Sequence, residues 1–262
     1  MKKKERLDSL LVTRGLAPSV SLAQALIMAG KVSVAGQCID KAGTSILCDA
    51  DIVVKEDSPF VSRGGLKLQG ALGKFGTKVQ GKICADVGAC TGGFTDALLQ
   101  NGAAKVFAID VAHGDFAWKL RADEKVILME RTNAAHLESL DEPVDLVVVD
   151  VSLLSVKKIL PQAMLWVKSQ FEMIVLIKPQ YEASPEQLPS GAVISDPLLH
   201  KTILLDVLSW MESTGLFPCA LMASPILGMG GNKEFLVLLR GEVEGEFDRE
   251  ATLDHVVSPA DA

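Results

Sequence analysis

Four ionisable residues stand where a chain rarely places charge. Lys178 closes the apolar run EMIVLIK and is followed at once by a proline that stops the strand. Asp150 ends VDLVVVD, Glu234 opens EFLVLL, and Lys67 lies in SRGGLKL, ahead of the first strand region. Charges at the ends of apolar strands face the ligand crevice, where burial is costly unless something compensates. Two lysines and two carboxylates around one alcohol suit proton abstraction from that alcohol as it attacks an activated methyl group, without a metal. A lysine is normally protonated at neutral pH; a second ammonium and partial desolvation both lower its pKa and leave a neutral fraction that can accept a hydroxyl proton, while the carboxylates orient the amines. Singly, each residue has a plainer reading: Lys67 and Glu234 as surface charges, Asp150 as a helix cap. Lys178 is the most informative, because lysine is rare between VLI and proline.

The stretch DVGACTGGF, Asp86 to Phe94, points to what supplies the methyl group. A glycine-rich loop between a strand and a helix lets backbone N–H groups approach a ligand closely. The dinucleotide fingerprint asks for glycine at its first, third and sixth positions, and here those are Gly88, Cys90 and Gly93. The cysteine disfavours a pyrophosphate bridge; a nucleoside ligand such as S-adenosylmethionine fits better. Asp110 ends the next strand, VFAID, 22 residues after Gly88, where a carboxylate accepts from ribose hydroxyls. The plain alternative is a tight turn with no ligand.

Alternating strands and helices must position these groups. KICADV, AKVFAID, VILMERT, VDLVVVDV and EMIVLIKP are short apolar runs rich in β-branched residues. GGFTDALLQNG and LSVKKILPQAMLWVKS, with helical spacing, separate them. Strands that are apolar throughout are covered on both faces, which predicts a parallel sheet between helices. PLLHKTILLDVLSWMESTG predicts a long helix, and FPCALMASPI with NKEFLVLLRG an antiparallel hairpin at one sheet edge.

The first 57 residues differ. Leu7, Leu10 and Leu11 predict one helix ending at Gly15, and Leu22, Ala25, Leu26 and Met28 a second ending at Gly30. KVSVAGQCID predicts a hairpin turning at Ala35-Gly36. This is a small α+β module, with 58–64 as a linker marked by Pro59 and the Gly64-Gly65 pair. Residues 65–242 form the α/β domain, and 243–262 an acidic tail read as mobile and solvated.

At 262 residues and 48% hydrophobic, the chain can bury a large core. No apolar run is long enough to cross a bilayer, and the N-terminus lacks the apolar segment of a signal peptide. Cys38, Cys48, Cys84, Cys90 and Cys219 are scattered and never spaced as CxxC, which argues for a reduced, cytoplasmic setting with no metal site. The net charge of -7 hides an asymmetry: residues 1–63 hold nine basic and seven acidic side chains, and the rest is acidic.

Taken together, RLDSLLVTRGLA, VSRGGLKL, DVGACTGGFTDALLQ, WKLR, ERTN, DLVVVDVS, IKPQYEA and GNKEFL resemble the TlyA (hemolysin A) family of ribosomal RNA 2′-O-ribose methyltransferases. The resemblance spans nearly the whole chain. It implies an S4-type RNA-binding domain ahead of an FtsJ/RrmJ-like domain: a Rossmann-like class I fold with a mostly parallel seven-stranded sheet and a terminal antiparallel hairpin. It implies S-adenosyl-L-methionine as cofactor and cytidines of 16S or 23S ribosomal RNA, or both, as substrate. The family's Lys-Asp-Lys-Glu tetrad falls on Lys67, Asp150, Lys178 and Glu234. Lys178 is then the central base or transition-state stabiliser, Lys67 and Asp150 tune and orient it, and Glu234 closes the network. Cofactor contacts fall on Asp86, Gly88, Thr91, Gly92, Gly93, Phe94, Asp110 and Asn133, with His113 a loop residue. RNA contacts fall on Lys4, Arg6, Arg14, Lys31, Lys41 and Arg63, supported by Lys2 and Lys3. The chain departs from the family at Val20, where arginine is common, and at DKAG, where KPG is usual; both thin the basic face. The old family name raises a membrane-active alternative, against which no basic amphipathic helix appears. An RNA-binding assembly factor without catalysis is a third reading, against which the intact tetrad argues.

Overall fold

The computed structural model describes residues 4–28, 30–54, 58–189, 193–242 and 247–258. The chain divides into two units, Met1–Ser58 and Pro59–Ala262. Lys2 and Lys3 lie outside the described residues.

In the first unit, β1 (Lys4–Arg6) leads into α1 (Leu7–Thr13), followed by α2 (Val20–Met28). Leu7, Leu10 and Leu11 are buried as their spacing predicts. The second helix departs from expectation. Its buried face is Ala23 and Ile27, one turn apart, whereas Leu22 and Met28 are 45% and 69% exposed. The face is chosen by contact with α1 rather than by where leucines fall. Next come β2 (Val32–Val34), β3 (Gln37–Cys38), β4 (Ser45–Leu47) and β5 (Ile52–Val54). The hairpin turns at Ala35 and Gly36, both at positive φ, as a two-residue turn between twisted strands requires. β1 pairs with β4, and β2 lies between β3 and β5.

The second unit opens with α3 (Gly64–Phe75), a helix that the Gly64-Gly65 pair conceals in the sequence. Phe60, in the stretch read as a linker, is buried, and the Val61 N–H donates to Asp96 at 2.8 Å. Then follow β6 (Ile83–Val87), α4 (Gly93–Gln100), β7 (Lys105–Ile109), α5 (Trp118–Arg121), β8 (Val126–Met129) and β9 (Val144–Val149). After these come α6 (Leu160–Ala163), β10 (Val167–Ile177), α7 (Pro179–Glu182), α8 (Pro197–Ser213), β11 (Phe217–Ala223), β12 (Phe235–Arg240) and α9 (Arg249–Val257).

Seven strands form one sheet in the order β11-β12-β10-β9-β6-β7-β8. From β10 to β8 all pairs are parallel, and β12 runs antiparallel between β10 and β11. Met173 to Ile177 of β10 are all 0% exposed, so both faces are covered. Each such side chain contributes about 1.5–3 kcal/mol on burial. α8 buries Ile203, Leu204, Val207, Leu208 and Met211, the stripe its periodicity predicts.

Two expectations are corrected. LSVKKILPQAMLWVKS is not one helix: a 3-10 turn at Val156–Lys158 leads into the four-residue α6, and β10 starts at Val167. Pro161 removes a backbone donor within the run. The acidic end is not a solvated tail either, as far as it is described. Asp248 caps α9 by accepting from the Ala251 N–H at 3.0 Å, and Leu253, Val256 and Val257 are buried against α8 and β11. Its acids have partners: Lys201 pairs with Asp254 at 2.6 Å and Glu250 at 3.0 Å.

Candidate active site

Parallel strands carry their C-terminal residues to one edge of the sheet, and that edge gathers the predicted groups. Gly88 follows β6, Asp110 follows β7, Asp150 follows β9 and Lys178 follows β10. The antiparallel strand β12 begins at the same edge, because Ile177 pairs with Phe235 in register, and so Glu234 arrives there too. Lys67 comes from the second turn of α3.

The four charges form two pairs. The Lys178 Nζ lies 2.6 Å from Asp150 Oδ1 and donates to Ser152 Oγ at 2.8 Å. The Lys67 Nζ lies 2.5 Å from Glu234 Oε2, with side chains 11% and 3% exposed. Buried ammonium and carboxylate groups are tolerated only in such contact. α3 brings the pairs near each other. A methyl group on Gly64, three residues before Lys67, would lie 3.8 Å from Asp150 Oδ2. The amino end of α3 therefore adjoins the Asp150 carboxylate.

Beside Asp150 opens a cleft of about 250 Å³, lined among others by Gly88, Asp110, Asn133 and Leu154. Gly88 has φ +85°, and a Cβ there would come within 2.5 Å of the Asp150 carbonyl oxygen. Only glycine lets β6 and β9 approach so closely at the cleft floor. Asp110 Oδ2 accepts from the Cys90 N–H and Oδ1 from the Ala112 N–H, each at 2.7 Å. These bonds aim the carboxylate and leave each oxygen capacity for a further donor. Asp86 is fully buried; its Oδ2 accepts from the Thr95 hydroxyl at 2.6 Å, and its Oδ1 has no partner among the described residues. Burial pushes its pKa up to about 7, the Thr95 hydroxyl opposes this, and the neighbouring Asp150 and Asp110 add to it.

Other predicted residues sit differently. Gly92 ends the loop, and Gly93 packs α4 on α3: a Cβ on Gly93 would come within 2.2 Å of Ser62 Oγ. Phe94 is a core residue, 3% exposed, so its contact is with α3 and not with the cleft. Thr91 accepts the Ala117 N–H on its carbonyl. Asn133 caps a 3-10 turn through the Ala135 N–H while also lining the cleft. His113 is an exposed loop residue whose Nδ1 lies 2.9 Å from Glu130 Oε2.

Of the predicted RNA contacts, Lys4 and Lys41 are exposed and Lys31 is half-buried. Arg6 forms a two-point contact with buried Asp8, whose carboxyl is held well below the usual range by hydrogen bonds from Arg6 and Gln24. Arg14 donates to the carbonyls of Ala50, at 2.7 Å, and Cys48. Arg63 donates to the Leu227 carbonyl at 3.1 Å. Sequence reasoning missed Ser152, in a loop, and Thr95, in α4, since single hydroxyls carry no distinguishing signal.

A larger cavity, about 520 Å³, opens at the other edge of the sheet. Its Lys82 and Arg240 both engage Glu172 at 2.8 Å, so its charges serve one another. Among the described residues no cluster of His, Cys, Asp and Glu is arranged to hold a metal, and no helix is long and apolar enough to cross a membrane.

Comparison with known proteins accords with this geometry. Residues 60–241 match the FtsJ-like methyltransferase family, and residues 5–47 match the S4 domain. A Bacillus subtilis protein, YqxC, named as an rRNA methyltransferase, is 40% identical over 97% of this chain and 92% of its own length. The 16S/23S rRNA (cytidine-2′-O)-methyltransferase TlyA of Mycobacterium tuberculosis is 39% identical over 98% of this chain and 97% of its own. A solved structure from Streptococcus thermophilus that bears a hemolysin name superposes with a TM-score of 0.75 at 36% identity, covering 98% of this chain and 95% of that one. The sheet order, the strand-end charges and these matches agree, and the chain belongs to the FtsJ-like methyltransferase family, with an S4 domain ahead of its methyltransferase domain.

Proposed function

We propose that this protein methylates the ribose 2′-hydroxyl of a cytidine in ribosomal RNA, of the 16S or 23S type or both, in the cytoplasm, using S-adenosylmethionine. One observation carries the reading: the Lys178 amine, held at 2.6 Å by Asp150 and at 2.8 Å by Ser152, stands at the rim of a nucleoside-sized cleft.

The cleft suits the cofactor. Asp110 has acceptor capacity for ribose hydroxyls, and the buried Asp86 oxygen without a partner favours a nearby cation. Gly88, Asp110 and Asn133, which line the cleft, would hold it, with the buried Asp86 and the Thr91-to-Phe94 segment shaping the loop from behind. When bound, S-adenosylmethionine supplies an electrophilic methyl group on a sulfonium.

The chain's own residues do the rest. Lys178 would orient the ribose 2′-oxygen at the cleft rim, and the Lys178–Asp150 pair would take up the hydroxyl proton. Lys67 and Glu234 complete the charged wall, keeping a second ammonium close to the developing charge. The S4 domain, with Lys4, Lys31 and Lys41, would supply phosphate contacts together with Arg6, Arg14 and Arg63 where their protein contacts leave N–H groups over.

The test is methyl transfer to ribosomal RNA alongside calorimetric cofactor binding. Lys178→Ala should abolish transfer and keep cofactor affinity, whereas Asp110→Ala should weaken the cofactor. Equal loss of affinity in both variants, or full transfer by Lys178→Ala, would overturn the assignment.

A further inference from the structure

The loop from Asp150 to Val156 carries two of the groups around the Lys178 amine, and its Leu154 forms part of the cleft wall. Left to itself, this loop has an easier shape to adopt. Leu153 at its middle holds φ +63°, a left-handed conformation costly for leucine, and its side chain is 86% exposed, so it does not anchor the loop. Something else must hold the strained form.

Glu182 is that anchor. It is the last residue of α7, four positions after Lys178. Its Oε2 accepts from the Ser155 hydroxyl at 2.6 Å and its Oε1 from the Val156 N–H at 2.8 Å. The Ser155 hydroxyl in turn accepts from the Lys157 N–H at 3.2 Å, capping the 3-10 turn. The two segments are thus joined twice: at Lys178 with Asp150 and Ser152, and at Glu182 with Ser155 and Val156. Burial raises the Glu182 pKa, and the hydrogen bonds from Ser155 and Val156 oppose that rise.

We propose that Glu182 is a positioning residue: by gripping Ser155 and Val156 it holds the Asp150–Val156 loop so that Asp150 and Ser152 face Lys178. This rests on Lys178 being the reacting amine, as proposed above, but its test does not need activity. Glutamine can keep the grip, accepting from Val156 and donating to the Ser155 oxygen; alanine cannot.

The experiment is acetic anhydride labelling of the full-length protein, with each lysine read by peptide mass spectrometry. In Glu182→Ala, Lys178 should acetylate at least about fivefold faster than in the parent, because the loop opens locally. Lys67, paired with Glu234, should keep its rate. Glu182→Gln should restore Lys178 to within about twofold. Ser155→Ala, which removes one bond and leaves the fold, should give an intermediate rate. Unchanged Lys178 labelling in Glu182→Ala or Ser155→Ala, or equal acceleration at Lys67, would overturn the proposal. In methyl transfer, Glu182→Ala should lower kcat about tenfold, and its effect should fail to multiply with that of Ser152→Ala, since both act on one loop. Absence of any methyl transfer by the parent protein would sink the proposed function and leave the labelling result standing.

Discussion

Lys67 and Glu234, 167 residues apart in the chain, meet at 2.5 Å with both side chains almost wholly buried. Removing one partner leaves an uncompensated buried charge. Glu234→Ala should therefore cost about 3–5 kcal/mol in the large unit's urea transition. The double change Lys67→Met with Glu234→Leu should recover most of that stability and none of the methyl transfer. Equal stability of the single and double variants would show that the pair does not behave as a buried ion pair.

Asp86 makes stability depend on pH. Its pKa rises from 3.8 to about 7, burial being the main cause. Between those values the folded chain holds a proton that the unfolded chain has released, so stability falls as pH rises through that window. Asp86→Asn keeps the shape without the charge. Without cofactor, it should be more stable than the parent at pH 8 by on the order of 1 kcal/mol or more. The difference should shrink toward pH 4, as melting curves across the range would show. Parallel curves for the two proteins would contradict the assignment.

The C-terminal helix α9 belongs to the packed core. Leu253, Val256 and Val257 are buried against α8 and β11, and the Lys233 amine donates to the Ser258 carbonyl at 2.6 Å, next to Glu234. Deleting residues 243–262 exposes these surfaces and should lower large-unit stability by at least about 3 kcal/mol. Calorimetry would read the loss directly; an unchanged melting temperature would restore the idea of a solvated tail.

Two cations of the small unit should behave differently. Arg14 joins the end of α1 to the Cys48 and Ala50 carbonyls, so Arg14→Ala should destabilise that unit by about 1 kcal/mol. Lys41 is exposed, so Lys41→Ala should leave stability within about 0.5 kcal/mol and reduce the salt dependence of RNA binding by about one unit of slope. Binding isotherms at several salt concentrations, beside thermal melts, separate the two. Identical behaviour of both variants would remove the distinction.

The sheet was legible because its strands are near-continuous runs of β-branched residues, and hydrophobic period reports local structure directly. β6, β7, β9, β10 and the β11–β12 pair all fall where KICADV, AKVFAID, VDLVVVDV, EMIVLIKP, FPCALMASPI and NKEFLVLLRG place them. α3 was hidden by the Gly64-Gly65 pair at its start, and the face of α2 by the exposed Leu22 and Met28, because contact with a neighbouring element decides each and no local rule encodes it. The run from Leu154 to Ser169 reads as helical by spacing, yet tertiary pairing with β9 takes its end for β10.

The amino-acid sequence alone determined which residues carry charge at strand ends and which loop is glycine-rich, since both follow from residue type and neighbours. Tertiary structure alone decided how those charges divide. Lys178 goes to Asp150 and Lys67 to Glu234, because strand order and register set which carboxylate each amine can reach. It also decided that Ser152 reaches the Lys178 amine, that Glu182 reaches Ser155, and that Phe94 stays in the core. Hydrogen bonds reach only about 3 Å, so partners far apart in sequence are chosen by the fold that brings them within that distance.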